Sequence, residues 1–327
     1  MTIRRRFVAA VLSSALFGAA TLAIAQGPQA AYPSKPVRIV VGFPGGGITD
    51  VIARAVAAQL SIELGQSVYV DNKPGAGTTI AADFVAKSAP DGYTLLLQDV
   101  TTHAINASLY PKLPYDTVKD FTPVGMVAST PLMLVVNSNS PAKTVQELFA
   151  EQRKKPGNYG SSGNGTIIHL SGAMFASAGG IAPVHIPYKG SAPATTALLG
   201  GEIDYFFSSL PPALSQVKAG KLRALAVTTP KRVPSAPDVP TMGEAGVPKF
   251  EVVLYNGIMG PAGLPAPIAD RLNAAIGKVL TSPELKTAYQ NLGAEAVTTT
   301  PAQFSKVLAH EMATYAPIVK ATGAKVE

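Results

Sequence analysis

Val37–Leu64 reads VRIVVGFPGGGITDVIARAVAAQLSIEL, and this stretch decides the fold: a buried strand, a three-glycine turn and an amphipathic helix in unbroken succession. Val37, Ile39, Val40, Val41 and Phe43 form a near-continuous apolar run, the pattern of a strand covered on both faces of a parallel sheet. Gly45, Gly46 and Gly47 lack the Cβ that bars positive φ and keeps a ligand away from the backbone. Thr49 or Asp50 is expected to cap the helix, since their oxygens accept from its orphaned N–H groups. Ile52, Val56, Leu60 and Leu64 recur every four residues, with Arg54 and Glu63 off that stripe, so one helix face packs on the sheet. Gly65 ends it. Free donors and the positive end of the helix dipole meet at the turn, which suits a carboxylate or phosphate. A tight turn that binds nothing would carry the same glycines.

Ahead of this unit, Arg4, Arg5 and Arg6 precede an apolar run from Phe7 to Ile24 that ends Ala23-Ile24-Ala25. That is the charge, core and cleavage pattern of a secretory leader, with cleavage expected near Ala25 and the fold beginning near Gln26. Arg4-Arg5-Arg6-Phe7 loosely matches a twin-arginine signal, but with no folded cofactor in evidence the general secretory path is favoured. No later stretch is long and apolar enough to span a bilayer. The chain has no cysteine, which excludes disulfides, thiol catalysis, zinc–thiolate sites and a lipid-modified N-terminal cysteine. Stability must come from a core, which 47% hydrophobic residues in 327 can build. Loss of the three leader arginines lowers the formal charge from +7 to +4. With no basic run or arginine stripe, nucleic acid is not an expected partner.

The length suggests about two domains, and the order of elements agrees. After the opening unit come a strand at Ser67–Asp71, a helix near Thr79–Ser88 and a strand at Tyr93–Gln98. Alternation of this kind implies parallel strands with right-handed crossovers. It puts the loops Phe43–Asp50 and Asn72–Thr79, NKPGAGTT, on one carboxyl edge of a sheet, where ligands of open α/β sheets bind. A second series follows Pro131–Val136: strand Asn158–Ser161 into GSSGNGT and a helix, then strand Val184–Tyr188 into KGSAPATT and a helix. Strands Ile203–Ser208 and Leu222–Val227 complete it, Pro230–Pro248 forms a long connection, and Phe250–Met259 is another strand. Helices are expected at Ile268–Leu280, Ser282–Leu292 and Pro301–Thr322. The chain crosses between the two halves near Ala128–Pro131 and Val252–Tyr255. This divides it into a leader (1–25), a discontinuous first lobe (32–128 and 253–327) and a second lobe (129–252). Two lobes joined by two strands invite closure on a central cleft.

Constellations for covalent chemistry are missing. Gly75-Ala76-Gly77 has Ile80 where a dinucleotide fingerprint needs its third glycine, and GSSGNG lacks nucleophile-elbow spacing. His103, His169, His185 and His310 are scattered without metal-ligand spacing, so no metal or cofactor is expected. His169 could face the cleft, though a hydrogen-bonded structural histidine is the simpler reading. Lys189 could attract an anion or lie on the solvated surface. Asp50, near an anion site, would cap, order water, or accept from a ligand's hydroxyl or amine. Phe43, Tyr188, Phe206 and Phe207 could line a pocket, with strand alternation sending some of them to the core.

Several long blocks resemble the extracytoplasmic solute receptors of the tripartite tricarboxylate transporter system, the Bug family. They are YPSKPVRIVVGFPGGG with Asp50, NKPGAGTTIAADFVAKSAPDGYTLL, LPYDTVKDFTPV, PYKGSAPA and VPTMGEAG, and together they cover nearly the whole chain. The resemblance implies an α/β, two-lobed periplasmic-binding-protein fold: two parallel-rich sheets flanked by helices, joined by two crossover strands. It implies a periplasmic, non-enzymatic, monomeric receptor. Loop amides, hydroxyls and bridging water would hold a small organic acid for delivery to inner-membrane permease subunits. It assigns ligand contacts to Phe43, Gly45, Gly46, Thr49 and Asp50, to Gly77, Thr78 and Thr79, to Ser161, Gly163, Gly165 and Thr166, and to Lys189, Gly190, Ser191 and Ala192. Where relatives commonly place an acid after the hydrophobic strand, this chain has Ser208-Ser209, so Ser208 is added. A hydrolase or lyase using His169 or Asp50, and a receptor serving a sensor kinase, are the alternatives.

Overall fold

In the computed structural model, which describes residues 32–324, the first half of the first lobe follows the expected alternation. It comprises β1 (Val37–Val41), α1 (Ile48–Leu64), β2 (Val68–Asn72), α2 (Thr79–Ala86), β3 (Thr94–Asp99) and α3 (Val100–Leu109). The leader lies outside the described residues. β4 (Phe121–Asn137) leads into α4 (Val145–Lys154), β5 (Asn158–Ser161), α5 (Ile167–Gly179), β6 (Val184–Pro187) and α6 (Ser191–Gly200). β7 (Tyr205–Ser209), α7 (Leu210–Lys218) and β8 (Leu222–Val227) end the second lobe. β9 (Val253–Pro261), α8 (Ala266–Val279), α9 (Pro283–Asn291), β10 (Glu295–Ala296) and α10 (Pro301–Thr322) complete the chain.

The strands run in the order β2-β1-β3-β9-β4-β7-β5-β6, with β8 and β10 also pairing β4. β1 is parallel to β2 and β3, and β5 is parallel to β6 and β7. β9 and β4 cross between the lobes and are antiparallel to each other and to their other neighbours. The hydrogen-bonded path is therefore continuous through both lobes. β4 serves both through its length: Phe121–Pro131 pair β9 and Leu132–Asn137 pair β7 and β8. Its ladder with β9 slips between Pro123 and Gly125 and between Met126 and Ala128, irregularities that bend and twist a strand.

Alternation along β1 splits the first core in two. Ile39 and Val41 pack with Ile52, Val56 and Leu60 of α1 and with Leu272 and Ile276 of α8. Val40 points to the other face, with Ala81, Ala82 and Val85 of α2 and Phe304 and Leu308 of α10. The second lobe gathers Leu132–Val136, Phe175, Tyr205, Phe206 and Phe207. Two pieces outside residues 129–252 join this second core: Ile105 and Leu109 of α3, and Tyr315 and Val319 near the end of α10. Neither α3 nor α4 was anticipated from sequence. α3 is buried through most of its length and so shows no amphipathic period, while α4 is a short polar helix behind a Thr144 cap.

Candidate functional site

The carboxyl ends of β1, β3, β5 and β6 converge on one crevice between the lobes. Its inner cavity is lined by Phe43–Gly45, Gly47–Thr49, Asp99, Ser162, Thr166–Ile168, Lys189–Pro193 and Leu254. It leaves about 40 Å³ of room for water-sized spheres. The outer cavity, about 740 Å³ by the same measure, is lined by Gly42–Pro44, Pro74–Thr78, Tyr110, Ser162–Asn164, Thr166 and Pro187–Gly190. Phe43, Pro44, Ser162, Thr166, Lys189 and Gly190 belong to both.

Two helices enter the inner cavity by their N-termini with nothing capping them. Gly47 precedes α1 and Gly190 precedes α6, and neither end receives a side-chain cap. Gly190 has φ 107°, a conformation that L side chains rarely adopt. The first-turn N–H groups of both helices are thus left for a ligand, backed by two positive dipole ends from opposite lobes. α5 differs, because Thr166 caps it by accepting from the His169 amide at 3.3 Å.

Asp50 does not take the capping position expected of it. It sits buried in the first turn of α1, where its carboxylate accepts from the Gly46 amide (2.9 Å), Arg54 Nε (3.0 Å) and Asn72 Nδ2 (2.8 Å). Asn72 also donates to the Phe43 carbonyl, so this cluster fixes the glycine turn from behind. Burial works to raise the Asp50 carboxyl, but the hydrogen bonds from Arg54, Gly46 and Asn72 outweigh it and hold the group below the usual carboxylate range.

The second lobe holds its loop with neutral groups. Ser161 Oγ accepts from the Gly163 amide at 3.1 Å and lies 2.6 Å from His185 Nε2. The Gly165 amide donates to His169 Nδ1 at 3.3 Å. The two imidazoles stack with centroids 3.9 Å apart, and Tyr159 stacks on His185. Burial pushes His169 down to about 4, and burial with the neighbouring imidazole pushes His185 down to about 3. His169 is therefore a loop support behind the crevice and lies on neither cavity wall.

The lobes touch around the site. The Ile167 amide, first in α5, donates to Thr102 Oγ1 at 3.1 Å, and that hydroxyl donates to Asp99. A Cβ on Gly77 would stand 2.5 Å from the Asn164 carbonyl oxygen, and one on Gly190 3.3 Å from the Pro44 ring. The loop that carries Gly77 is strained: Ala76 and Thr78 have φ of 46° and 77°, costly for non-glycine residues and characteristic of functional sites. Tyr110, just past α3, and Asn106 of α3 hold it by donating to the Ala76 and Gly77 carbonyls.

Of the seventeen residues named from sequence, Phe43, Gly45, Thr49, Thr166, Lys189, Gly190, Ser191 and Ala192 line the inner cavity, and Gly77, Thr78 and Gly163 the outer one. Gly46, Asp50, Thr79, Ser161 and Gly165 stand one layer back, where they shape the loops. Thr79 Oγ1, for instance, donates to the Ala76 carbonyl. Ser208 is buried on β7, opposite Met133 and donating to the Ser209 carbonyl, and is part of neither wall. Sequence reasoning missed Asp99. Its signal was present as an acid at a strand end followed by Thr101 and Thr102, an N-cap pattern on the central strand of the first lobe.

The chain matches the model of the tripartite tricarboxylate transporter family receptor over residues 52–324. Protein BugT of Bordetella pertussis (strain Tohama I) is 40% identical over 299 residues, 90% of this chain and 92% of that protein. Among solved structures, the periplasmic binding protein BugD superposes with TM-score 0.85 at 35% identity, covering 90% of this chain and all of that one. R. palustris Rpa4515 with adipate superposes with TM-score 0.86 at 36% identity, over 90% of this chain and all of that one. MatC from Rhodopseudomonas palustris with bound malate gives 0.84 at 33%, over 88% of this chain and all of that one. Among the described residues no helix is long and apolar enough to cross a membrane. With its periplasmic-binding-protein fold and a family match over most of its length, this chain belongs to the tripartite tricarboxylate transporter receptors, the Bug family.

Proposed function

We propose that the protein captures a small organic carboxylate between its lobes and hands it, without covalent chemistry, to the inner-membrane permease subunits of a tripartite transporter. The observation that carries this reading is the pair of uncapped helix N-termini, α1 from one lobe and α6 from the other, facing a single cavity. A hydrogen bond to a charged group contributes about 1.5–3 kcal/mol net, and micromolar affinity needs roughly 8 kcal/mol after association costs. Four or five amides and hydroxyls, with bridging water, supply that when both lobes contribute. Lys189 adds the one cationic side chain among the described residues of either wall.

In this reading the lobes are residues 32–128 with 253–327, and 129–252; closure about β4 and β9 completes the site. The protein works in the periplasm as a monomer after removal of the leader. The adipate and malate complexes of its structural relatives support the ligand class. Thermal denaturation against a carboxylate panel tests it, since a ligand that binds only the folded state raises the midpoint by RT ln(1 + [L]/Kd). Folded protein with no shift across a broad panel overturns the reading. Co-purification with permease subunits, as against a sensor kinase, decides whom the loaded receptor serves.

A further inference from the structure

Asp99 ends β3 in the wall of the inner cavity, and none of it is exposed to solvent. Its carboxylate accepts from the amides of Thr101 (3.1 Å) and Thr102 (3.2 Å) and from the Thr102 hydroxyl. A carboxylate offers about four acceptor positions, so one remains. Among the described residues no cation lies within ion-pair distance of it. The titratable groups that face it are Glu311 and Tyr315 of α10, with Lys189 elsewhere on the cavity wall. A buried acid beside two anion-attracting helix ends works against a plain carboxylate, because like charges in a poorly solvated space repel strongly.

The conflict disappears for a ligand that brings its own donor. Resting on the carboxylate-receptor reading, we propose that the inner cavity takes the head of a 2-amino or 2-hydroxy carboxylate. The ends of α1 and α6 receive the carboxylate, and Asp99 accepts from the donor on the adjacent carbon. Of the other hydroxyls on this wall, Thr49 is engaged with Asn256 and Thr166 with Gly163 and His169, and Ser162 and Ser191 are within reach of the rest of the head. The rest of the ligand extends past Phe43 and Pro44 into the outer cavity.

Burial pushes the Asp99 carboxyl up to about 7 against the hydrogen bonds from Thr102 and Thr101, and Glu311 adds to the rise. The acceptor is therefore ionised above neutrality and protonated below it, so a donor-bearing ligand gains affinity as pH rises through that value, whereas a plain acid does not.

Calorimetry on the mature protein with matched trios tests the proposal: propionate, lactate and alanine; succinate, malate and aspartate. The substituted member of at least one trio is expected to bind about tenfold or more tightly than the plain acid, with the ratio growing from about pH 5.5 to about pH 8. Asp99→Asn keeps a good helix cap and is expected to bring that ratio close to one, with circular dichroism confirming the fold. Whether the amine or the hydroxyl leads assigns the donor. A plain acid that binds as tightly as its substituted partners, or a ratio that survives in D99N, overturns this inference and leaves the carboxylate reading standing. No binding by any member, or by any wider panel, takes both down.

Discussion

The two lobes offer backbone amides to the same crevice but hold their loops by opposite means. In the first, the glycine turn before α1 hangs on an ionised carboxylate, Asp50, clamped by Arg54 and Asn72. In the second, the turn before α5 rests on two stacked neutral imidazoles and a serine hydroxyl. The difference sets a different acid limit for each of these two loops. A group with a depressed carboxyl pKa keeps its stabilising effect until the pH falls through that low value. An imidazole held neutral by burial starts to cost stability as soon as the pH drops below the ordinary value near 6.5, because the unfolded chain binds the proton and the native chain refuses it. Acid should therefore loosen the turn before α5 ahead of the turn before α1, while the buried His103 of the first lobe adds to the global acid slope.

Asp50→Ala is the most damaging test. It strips hydrogen bonds from the Gly46 amide and Asn72 in a buried setting, and should cost about 2–3 kcal/mol, read from denaturant midpoints at neutral pH, together with carboxylate binding. Wild-type stability should next fall steadily from about pH 6.5 toward pH 4 as His103, His169 and His185 resist protonation. His185→Phe, which preserves the stack on Tyr159, should lose about 1 kcal/mol at neutral pH but show a shallower acid slope. A slope unchanged by this variant would erase the contrast between the lobes. Asp99 works the other way, since its raised carboxyl favours the folded state at lower pH. D99N should steepen the acid limb. Thr102→Val removes the acceptor that ties the Ile167 amide across the crevice and a donor to Asp99, and should weaken ligand binding about five- to tenfold and cost about 1–2 kcal/mol of stability. The smallest effect belongs to Lys189→Gln: the lysine is exposed, its attraction is screened, and affinity should fall only a few-fold, less at high salt.

How much of this could be read from the sequence depended on whether a residue's job was local. The strand, turn and helix at Val37–Leu64 were legible because glycine freedom and a four-residue apolar stripe act within a few positions, and β1 and α1 fall where the pattern puts them. The four glycine and hydroxyl loops were legible as well, since chain order alone brings the ends of parallel strands to one edge. Asp50 shows where such reasoning stops. Its place next to a helix start suggested a cap, but Asn72, across the sheet, and Arg54, one turn on, draw its carboxylate behind the turn. Ser208 was placed by analogy with a wall, and the register of β7 against β4 buries it instead. Asp99 escaped notice because its local signal is only that of a helix cap, and nothing near it marks β3 as the strand that pairs with β9. Long-range pairing made it part of the site.

α10 carries Phe304 and Leu308 in one core and Tyr315 and Val319 in the other, with Pro317 inside the helix between the last two. The protein therefore has a third tether besides β4 and β9. Swinging the halves apart must either peel the final turns off the second core or flex them where the proline leaves a carbonyl without its N–H partner. A fluorophore near residue 322 would then follow each capture and release, and trimming the chain ahead of Tyr315 would yield a receptor that gapes more widely and holds its cargo less long.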